Sequence, residues 1–367
     1  MGWQFVTDFS GTRRSVDSIF PIRKPAAVEK TRDHTTDELL VQGSLVVEFE
    51  MSADGHVPAR LVHYENTQDW DRRFTIYLNA DHSIAVEIQQ GPARVYARLS
   101  NWTKFPVGPT RLTYSWDAPA KSGLLTLEAL ESGSIRQAIV DAPLPLPRSD
   151  LEIIARAGTQ VADPRLTFIA VSDSVVPVGP APSIAGDTLV ETSHGPRRID
   201  RVQLGDEVLT AQHGLQPIRW IVKQELPAFG QYQPVRLRAP YLGLTRDITV
   251  SQHHHFRIGG TDAEYLFGTE SVMVEARHLL NHPAATLMRQ GTTQTYYQLL
   301  LDHHDCVCLC GAWGESLFIG NLGTSPDLQQ TTHLAGLSPS ATPRHRKLEI
   351  PMLKSFESNT LLDAISA

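Results

Sequence analysis

A serine that directly follows a proline-rich segment is the side chain best placed to do chemistry in this sequence. The proline-rich segment is Val175–Pro182, and Ser183 is the next residue. The covalent chain itself holds the Ser183 hydroxyl beside the carbonyl of Pro182, so an attack on that carbonyl needs no distant approach. Such an attack moves the acyl group from nitrogen to oxygen and requires a proton for the leaving nitrogen. Histidine suits that task because its pKa lies near neutrality.

Consecutive histidines and alternating cysteines raise the alternative of a metal site. In a strand, His253 and His255 share one face and His254 lies on the other, so only His254 need point inward. Neighbours on one strand face stand about 7 Å apart, too far for a disulfide. The sequence has neither an HExxH pattern nor matched CxxC spacing, so a zinc hydrolase is the weaker interpretation, and we expect no metal and no cofactor. The cysteines concerned are Cys306, Cys308 and Cys310.

Composition describes a globular chain long enough for two domains. It has 367 residues, of which 41% are hydrophobic and 20% charged. The net charge of −7 argues against nucleic acid as a partner. No apolar run reaches the roughly 18 residues of a membrane span, and Met1–Asp8 lacks the features of a classical secretory signal. The expected location is the cytoplasm, or outside the cell by a non-classical route.

Short β-branched runs separated by turn residues cover both halves of the chain and predict an all-β fold. The polar tail ends in a short helix predicted over residues 351–362, with Pro351 in its first turn. In order, the predicted segments are an irregular lead-in (1–37), a β-sandwich (38–172), a proline-rich linker (173–182), a second all-β domain (183–322) and the polar tail (323–367).

Residues 183–322 resemble a Hint (hedgehog/intein) domain of the bacterial branch. This resemblance implies a compact, horseshoe-like all-β fold. The pieces that carry it, in the family's order, are SIAGDTLV at 183–190, LGDEVLT at 204–210, QPIRWI at 216–221, DITVSQHH at 247–254, VEARHL at 274–279, TYYQLLLDHH at 295–304 and GAWGES at 311–316.

The resemblance also implies roles for five side chains. In the family the first residue, usually a cysteine, attacks the carbonyl before it; Ser183 stands there and would form an ester instead of a thioester. The family's Thr/Ser-x-x-His motif matches Ser251 and His254, which implies that Ser251 polarises or twists the scissile amide and His254 protonates the leaving nitrogen. Asp302 and His304 match a later acid and histidine that activate the nucleophile or the incoming group.

A definite geometry follows from these roles. The carbonyl of Pro182 should lie within a hydrogen bond, or one water, of the side chains of His254 and Ser251. Inteins end in His-Asn before Cys, Ser or Thr, whereas Ala312–Leu317 contains no such pair. The sequence therefore predicts cleavage before Ser183 without protein splicing. The side chains expected to converge, with Asp302 beside them, are Ser183, Ser251, His254 and His304.

Residues 38–172 resemble a concanavalin A-like, or laminin G-like, jelly roll. Domains of that family bind sugars or proteins, so the resemblance implies a carbohydrate or protein partner; a plain spacer is the alternative. Trp70, Trp102 and Trp116 either stack on sugars or lie in the core. The pieces that carry the resemblance are SLVVEFEMSADG at 44–55, FTIYLNADHSIAVEI at 74–88, RLTYSWD at 111–117 and LLTLEAL at 124–130.

Two functions compete. The first is an autoprocessing protein that breaks the Pro182–Ser183 bond by an N-to-O acyl shift, with its own N-terminal segment as substrate. The second is a non-catalytic binding or adhesion protein, in which a lectin-like domain is joined to a degenerate Hint scaffold. An intact-mass measurement of the purified chain separates them, because only the first yields two fragments.

Overall fold

The structure, a computed structural model, divides the chain into two compact units, Met1–Gly179 and Pro180–Ala367. The first unit consists almost wholly of strands. The residues that the structure describes are 2–9, 16–17, 38–51, 58–67, 70–81, 83–100, 107–156, 163–288, 291–320, 322–345 and 349–366. The elements of the first unit are β1 (Trp3–Asp8), β2 (Val16–Asp17), β3 (Leu39–Leu40), β4 (Gln42–Met51), β5 (Ala59–Asn66), β6 (Arg72–Leu78), β7 (Ile84–Gln90), β8 (Ala93–Leu99), β9 (Gly108–Asp117), β10 (Ser122–Ala129), β11 (Ser134–Asp141), β12 (Leu146–Pro147), α1 (Arg148–Arg156) and β13 (Leu166–Ser172).

Two antiparallel sheets of the first unit enclose one core. The larger sheet has the order β11-β10-β9-β4-β13-β1-β2 and the smaller β5-β6-β7-β8, while β12 pairs with β3. Strand β8 shows how the sequence produces this layering, because Val95, Ala97 and Leu99 alternate with exposed or half-buried residues and point inward. The core joins side chains of both sheets, among them Phe49 from the larger and Ile76 from the smaller. The predicted all-β sandwich is confirmed.

The first strand lies in a segment that the sequence pattern indicated to be irregular. Residues 3–8 pair with β13 and with β2, and Trp3, Phe5 and Val6 are buried. Six residues are too few for a clear period, yet the alternation of large apolar and polar side chains suffices once a partner strand is present. The remainder of the predicted lead-in, residues 10–15 and 18–37, lies outside the described residues.

The three tryptophans considered as sugar platforms have different surroundings. Trp116 is fully buried, stacks on Tyr114 and donates from Nε1 to the Leu40 carbonyl at 2.9 Å. Trp70 is 42% exposed, with the guanidinium of Arg72 5.3 Å from its ring centroid. Trp102 lies outside the described residues. Trp116 is thus a core residue, whereas Trp70 is partly exposed to solvent.

The second unit is also built mainly of strands. The helices of both units, the longest of twelve residues in the described part of the chain, are too short and too polar to cross a membrane. The elements of the second unit are β14 (Ile184–Ala185), β15 (Leu189–Thr192), β16 (Gly195–Arg198), β17 (Glu207–Thr210), β18 (Gly214–Pro217), β19 (Trp220–Pro227), β20 (Pro234–Leu237), β21 (Ile248–Ser251), β22 (His255–Gly259), α2 (Thr261–Phe267), β23 (Ser271–Glu275), β24 (Ala285–Leu287), β25 (Thr293–Leu300), β26 (Cys306–Leu309), β27 (Ala312–Glu315), α3 (Pro326–Gln330) and α4 (Ser355–Ser366).

Two sheets organise this unit around its own apolar core. A six-stranded sheet has the order β19-β25-β14-β21-β20-β24, and an eight-stranded one runs β16-β15-β17-β26-β27-β22-β23, with β18 paired to β17. Both sheets contribute to one buried cluster, for example Val250 from the first and Val307 from the second. Strand β14 is only two residues long, but it lies inside the first sheet with β25 and β21 on its two sides.

The end of the chain packs into the core of the second unit. Leu353, Leu361 and Leu362 belong to its buried cluster. The predicted helix forms, but it begins at Ser355 and not near Pro351. The carbonyl of Pro351 instead accepts a hydrogen bond from the Met273 amide at 2.8 Å, so the chain there is extended along β23. Proline is compatible with that pairing because it is needed only as an acceptor.

Candidate functional site

Ser183 is fixed by backbone hydrogen bonds on both sides. Its amide donates to the carbonyl of Tyr297 at 3.3 Å, and its own carbonyl accepts from the amide of Ser251 at 2.8 Å. The following Ile184 is fully buried between β21 and β25, which anchors this short strand by apolar packing. Ser183 itself is only 3% exposed. A hydroxyl held in this way is kept apart from bulk water.

The Ser183 hydroxyl lies against the imidazole of His254. The distance from Oγ to Nδ1 is 2.8 Å, within the range of a strong hydrogen bond. His254 occupies the turn between β21 and β22, is almost fully buried, and meets the edge of Phe256 with ring centroids 4.8 Å apart. Burial, aided by the charge of His255, lowers the pKa of His254 to about 3. The ring is therefore neutral at neutral pH and accepts or donates a proton according to its tautomer.

A third side chain, Gln298, touches the same hydroxyl. The Ser183 Oγ lies 3.0 Å from Gln298 Oε1, and Gln298 Nε2 donates to the backbone carbonyl of Glu315 at 2.7 Å. Sequence reasoning missed this residue. A signal was present, because Gln298 is the polar member of the face that Tyr296 and Leu300 form on β25, and both of these are fully buried. A buried polar side chain on an apolar face needs a partner, and here that partner is the serine.

Glu315 is a half-buried carboxylate between two histidines. Its Oε2 lies 2.6 Å from His255 Nδ1 and its Oε1 3.0 Å from His304 Nε2. Burial would raise the pKa of Glu315, but the contacts with the two histidines outweigh it and hold the pKa far below its usual range. Burial would lower the pKa of His255, but the hydrogen bond and charge of Glu315 raise it instead. The two shifts favour an ion pair between Glu315 and His255, and the backbone of Glu315 adjoins the serine through Gln298.

A glycine makes room for the imidazole of His254. A Cβ placed on Gly314 would stand 2.6 Å from His254 Nε2 and 2.5 Å from Leu309 Cδ1. His254 Nε2 is buried and has no hydrogen-bond partner among the described residues. The ring therefore packs directly on the backbone of β27, and Gly314 precedes Glu315 on that strand. Gly314 contacts the ring of His254 and Glu315 holds the amide of Gln298, so β27 supports the site from both residues.

Two of the residues assigned by resemblance have surroundings that differ from the expectation. The hydroxyl of Ser251 lies 3.1 Å from His253 Nδ1, and only the backbone amide of Ser251 contacts Ser183. No hydrogen bond among the described residues joins the carbonyl of Pro182 to Ser251 or His254. The polarising contact proposed for the Ser251 hydroxyl is thus not formed in this structure.

Asp302 does not join the group of converging side chains. Its carboxylate forms two hydrogen bonds of 2.7 Å with Arg219, and both side chains are substantially exposed. Strand β25 ends at Leu300, so residues 302 and 304 lie beyond the regular strand. His304 turns inward to Glu315, whereas Asp302 turns outward. The acid that lies against His304 is the half-buried Glu315.

The three cysteines remain free thiols. Cys306 is fully buried and Cys308 is half-buried, and burial raises the pKa of both thiols. Among the residues that the structure describes, no group of three or more His, Cys, Asp or Glu side chains is arranged to hold a metal ion. Cysteine here serves as a small apolar side chain in β26.

Comparison with known proteins gives a family for the second unit. A family model for the Hint domain matches residues 182–321, and no curated protein matches the sequence. The gp41-1 intein structure is 12% identical with a TM-score of 0.26, over 36% of this chain and 97% of its own. The LG1-3 region of the laminin alpha2 chain is 9% identical with a TM-score of 0.24, over 81% of this chain and 55% of its own. Mouse laminin alpha1 domains LG4-5 are 10% identical with a TM-score of 0.21, over 81% and 83%. Residues 182–321, which hold Ser183 and His254 in contact, form a Hint domain, and the chain combines it with an N-terminal β-sandwich.

Proposed function

We propose that this chain processes itself by breaking the Pro182–Ser183 bond through an N-to-O acyl shift. One observation carries the proposal: the Ser183 hydroxyl lies buried at 2.8 Å from the imidazole of His254. A hydroxyl beside a neutral imidazole is the pairing that nucleophilic acyl transfer requires. The substrate is the chain's own N-terminal segment, delivered by the covalent bond itself.

The proton moves through one nitrogen of His254. In the reactive tautomer, which carries its proton on Nε2, Nδ1 accepts the proton of the Ser183 hydroxyl while Oγ attacks the carbonyl carbon of Pro182. The carbon–nitrogen bond then breaks, and Nδ1 returns the proton to the departing Ser183 nitrogen. The products are an ester between Pro182 and Ser183 and a free α-amine. No atom or electron beyond the chain is needed until water hydrolyses the ester.

Reaction is expected to stop at cleavage. Asparagine cyclisation, which completes splicing in inteins, needs an asparagine after a histidine at the domain's end, and Ala312–Leu317 contains neither. Hydrolysis of the ester would release the sandwich with Pro182 as its last residue. Ser183 would become the new N-terminus of the Hint domain.

Substitution of the nucleophile tests the proposal. Ser183→Cys supplies a thiol that is more acidic than the hydroxyl, so cleavage should be faster, and added thiol should speed it further by exchange with the thioester. Intact-mass spectrometry should then show a fragment that ends at residue 182. His254→Ala in the same background should abolish the gain. His253→Ala is the matched control, because that ring contacts Ser251 and the Gln231 carbonyl and not Ser183.

The competing function is a binding protein whose Hint domain is a scaffold. Its supporting observation is the exposed ring of Trp70, which could stack on a sugar. A Ser183→Cys chain that stays whole with thiol for days would refute self-cleavage and favour this alternative. Glycan-array binding that is lost in Trp70→Ala, but kept in Trp3→Phe at a buried tryptophan, would then support a carbohydrate partner.

A further inference from the structure

The Ser183 hydroxyl has a single proton and two neighbours that compete for it. Oγ lies 2.8 Å from His254 Nδ1 and 3.0 Å from Gln298 Oε1. A neutral imidazole nitrogen either accepts or donates, whereas an amide oxygen only accepts. The direction of the proton therefore decides whether His254 is able to act as the base that nucleophilic attack needs.

The orientation of Gln298 is fixed by its second hydrogen bond. The contact at 2.7 Å with the Glu315 carbonyl requires a donor, so the amide NH₂ must face Glu315 and the amide oxygen must face Ser183. Turning the amide around would bring two oxygens together at Glu315. The acceptor beside Ser183 is thus held in place by the backbone of β27.

The surroundings of His254 favour the same arrangement. If Ser183 donates to Gln298, the short contact with His254 needs a proton on Nδ1, which leaves Nε2 bare. His254 Nε2 is buried without a hydrogen-bond partner among the described residues and packs on Gly314, a setting that suits a bare nitrogen. The opposite tautomer would bury an unpaired N–H and leave the Gln298 oxygen unpaired as well. An unmade buried hydrogen bond is costly, so the first arrangement is preferred.

We propose that Gln298 is an autoinhibitory positioning residue that directs the Ser183 proton away from His254 and so keeps the nucleophile inactive. Its effect on cleavage rests on the proposed self-processing, whereas its effect on the tautomer of His254 does not. The chain would be a slow precursor whose rate depends on how often the hydroxyl leaves Gln298 for His254. Gln298 thereby sets the fraction of molecules able to react.

The tautomer of His254 tests the proposal without any cleavage. In full-length chain labelled with ¹⁵N-histidine and assigned with His254→Ala, the His254 signals should show a proton on Nδ1. Gln298→Leu removes the competing acceptor and should move the proton to Nε2. Gln216→Leu is the matched control, a buried glutamine whose contacts are with Thr210 and His303, and it should leave the signals unchanged. If Gln298→Leu does not fold, the same measurement is made on Gln298→Met, which also lacks the amide oxygen.

Cleavage gives an independent second measurement. With Ser183 in place and hydroxylamine added to capture the ester, Gln298→Leu should cleave about three- to tenfold faster than the unsubstituted chain, the factor that one neutral hydrogen bond contributes. A proton on His254 Nε2 in the unsubstituted chain, or no change on Gln298→Leu and Gln298→Met, would overturn the role of Gln298. A tautomer that shifts as expected in a chain that never cleaves would confirm Gln298 and refute the proposed function instead.

Discussion

The close contact between Gly314 and His254 gives the sharpest prediction for the site. Gly314→Ala would place a Cβ 2.6 Å from His254 Nε2 and 2.5 Å from Leu309 Cδ1. Carbon atoms in contact normally stand about 3.5–4.0 Å apart, so the new methyl group overlaps both neighbours by about 1 Å. Gly314 is not at a positive φ, so the effect would come from space and not from backbone strain.

Two magnitudes follow from that overlap. Overpacking of a well-filled core costs about 1–3 kcal/mol, and the free energy of unfolding of the Hint domain should fall by that amount. A displacement of about 1 Å at His254 should also slow cleavage by about 100-fold, because proton transfer demands close alignment with Ser183. The expected fall in the cleavage rate is greater than the fall that a loss of about 1–3 kcal/mol in the free energy of unfolding would cause through a larger unfolded fraction.

A matched control and a double-mutant cycle make the experiment specific. Gly259→Ala adds the same methyl group to the neighbouring strand β22, where the nearest heavy atom is 3.2 Å away. Denaturant unfolding should show a smaller cost for this control, and cleavage in the Ser183→Cys background should be close to normal. If the clash with the imidazole is real, Gly314→Ala should cost less when His254 is already alanine.

The reasoning fails if Gly314→Ala cleaves as fast as its parent. It also fails if the stability cost of Gly314→Ala is the same with and without His254→Ala. Either result would mean that the imidazole does not pack on the backbone of β27. The close packing on Gly314 would then no longer support the tautomer in which His254 Nε2 carries no proton.

Further expectations concern charge, thiols and pH. Asp302→Asn should change the free energy of unfolding by less than about 1 kcal/mol and leave cleavage unchanged, because its salt bridge to Arg219 is exposed; a large loss of cleavage would contradict its exclusion from the site. Iodoacetamide should modify Cys306 only after denaturation and Cys308 more readily, as peptide masses will show, because Cys306 is the more deeply buried. The depressed pKa of His254 contributes stability above pH 6.5 that is lost as pH falls toward about 3. Relative to His254→Ala, the free energy of unfolding should therefore drop by about 1.4 kcal/mol per pH unit in that window, and equal slopes would refute it.

The sequence predicted the fold class and the pair that makes contact in the site, for reasons that are local. Strand alternation and turn residues determine the all-β fold, and Ser183 is placed by its covalent neighbour. His254 was expected to point inward from strand alternation and from the Thr/Ser-x-x-His motif. It is 2% exposed, but it lies in the turn between β21 and β22, so the alternation argument does not account for its position. The fold class and the place of Ser183 need only periodicity and chain connectivity, which a single sequence contains.

The sequence marks Gln298 as a polar side chain on an apolar strand face, but it does not show that Ser183 is its partner, because that depends on register between distant strands. Gln298 reaches Ser183 because β25 runs beside β14, with Tyr297 opposite Ile184. Asp302 was assigned by resemblance to a family motif, and in the structure it lies apart from Ser183 because the regular strand ends two residues before it and its carboxylate pairs with Arg219. Glu315 carries no mark in the sequence that separates it from the many exposed glutamates of the chain.

Glu315 joins the two halves of the site through different parts of one residue. Its backbone carbonyl holds the amide of Gln298, and its carboxylate lies between His255 and His304. The Glu315 side chain is 20% exposed, and a carboxylate with so little contact with water is tolerated only when it is well paired, so the two histidines must stay in place. That requirement fixes the position of β27, which in turn fixes both the Gln298 amide and the glycine under His254. The half-buried charge of Glu315 thus acts on the reaction through geometry, because it determines where the Ser183 proton is able to go.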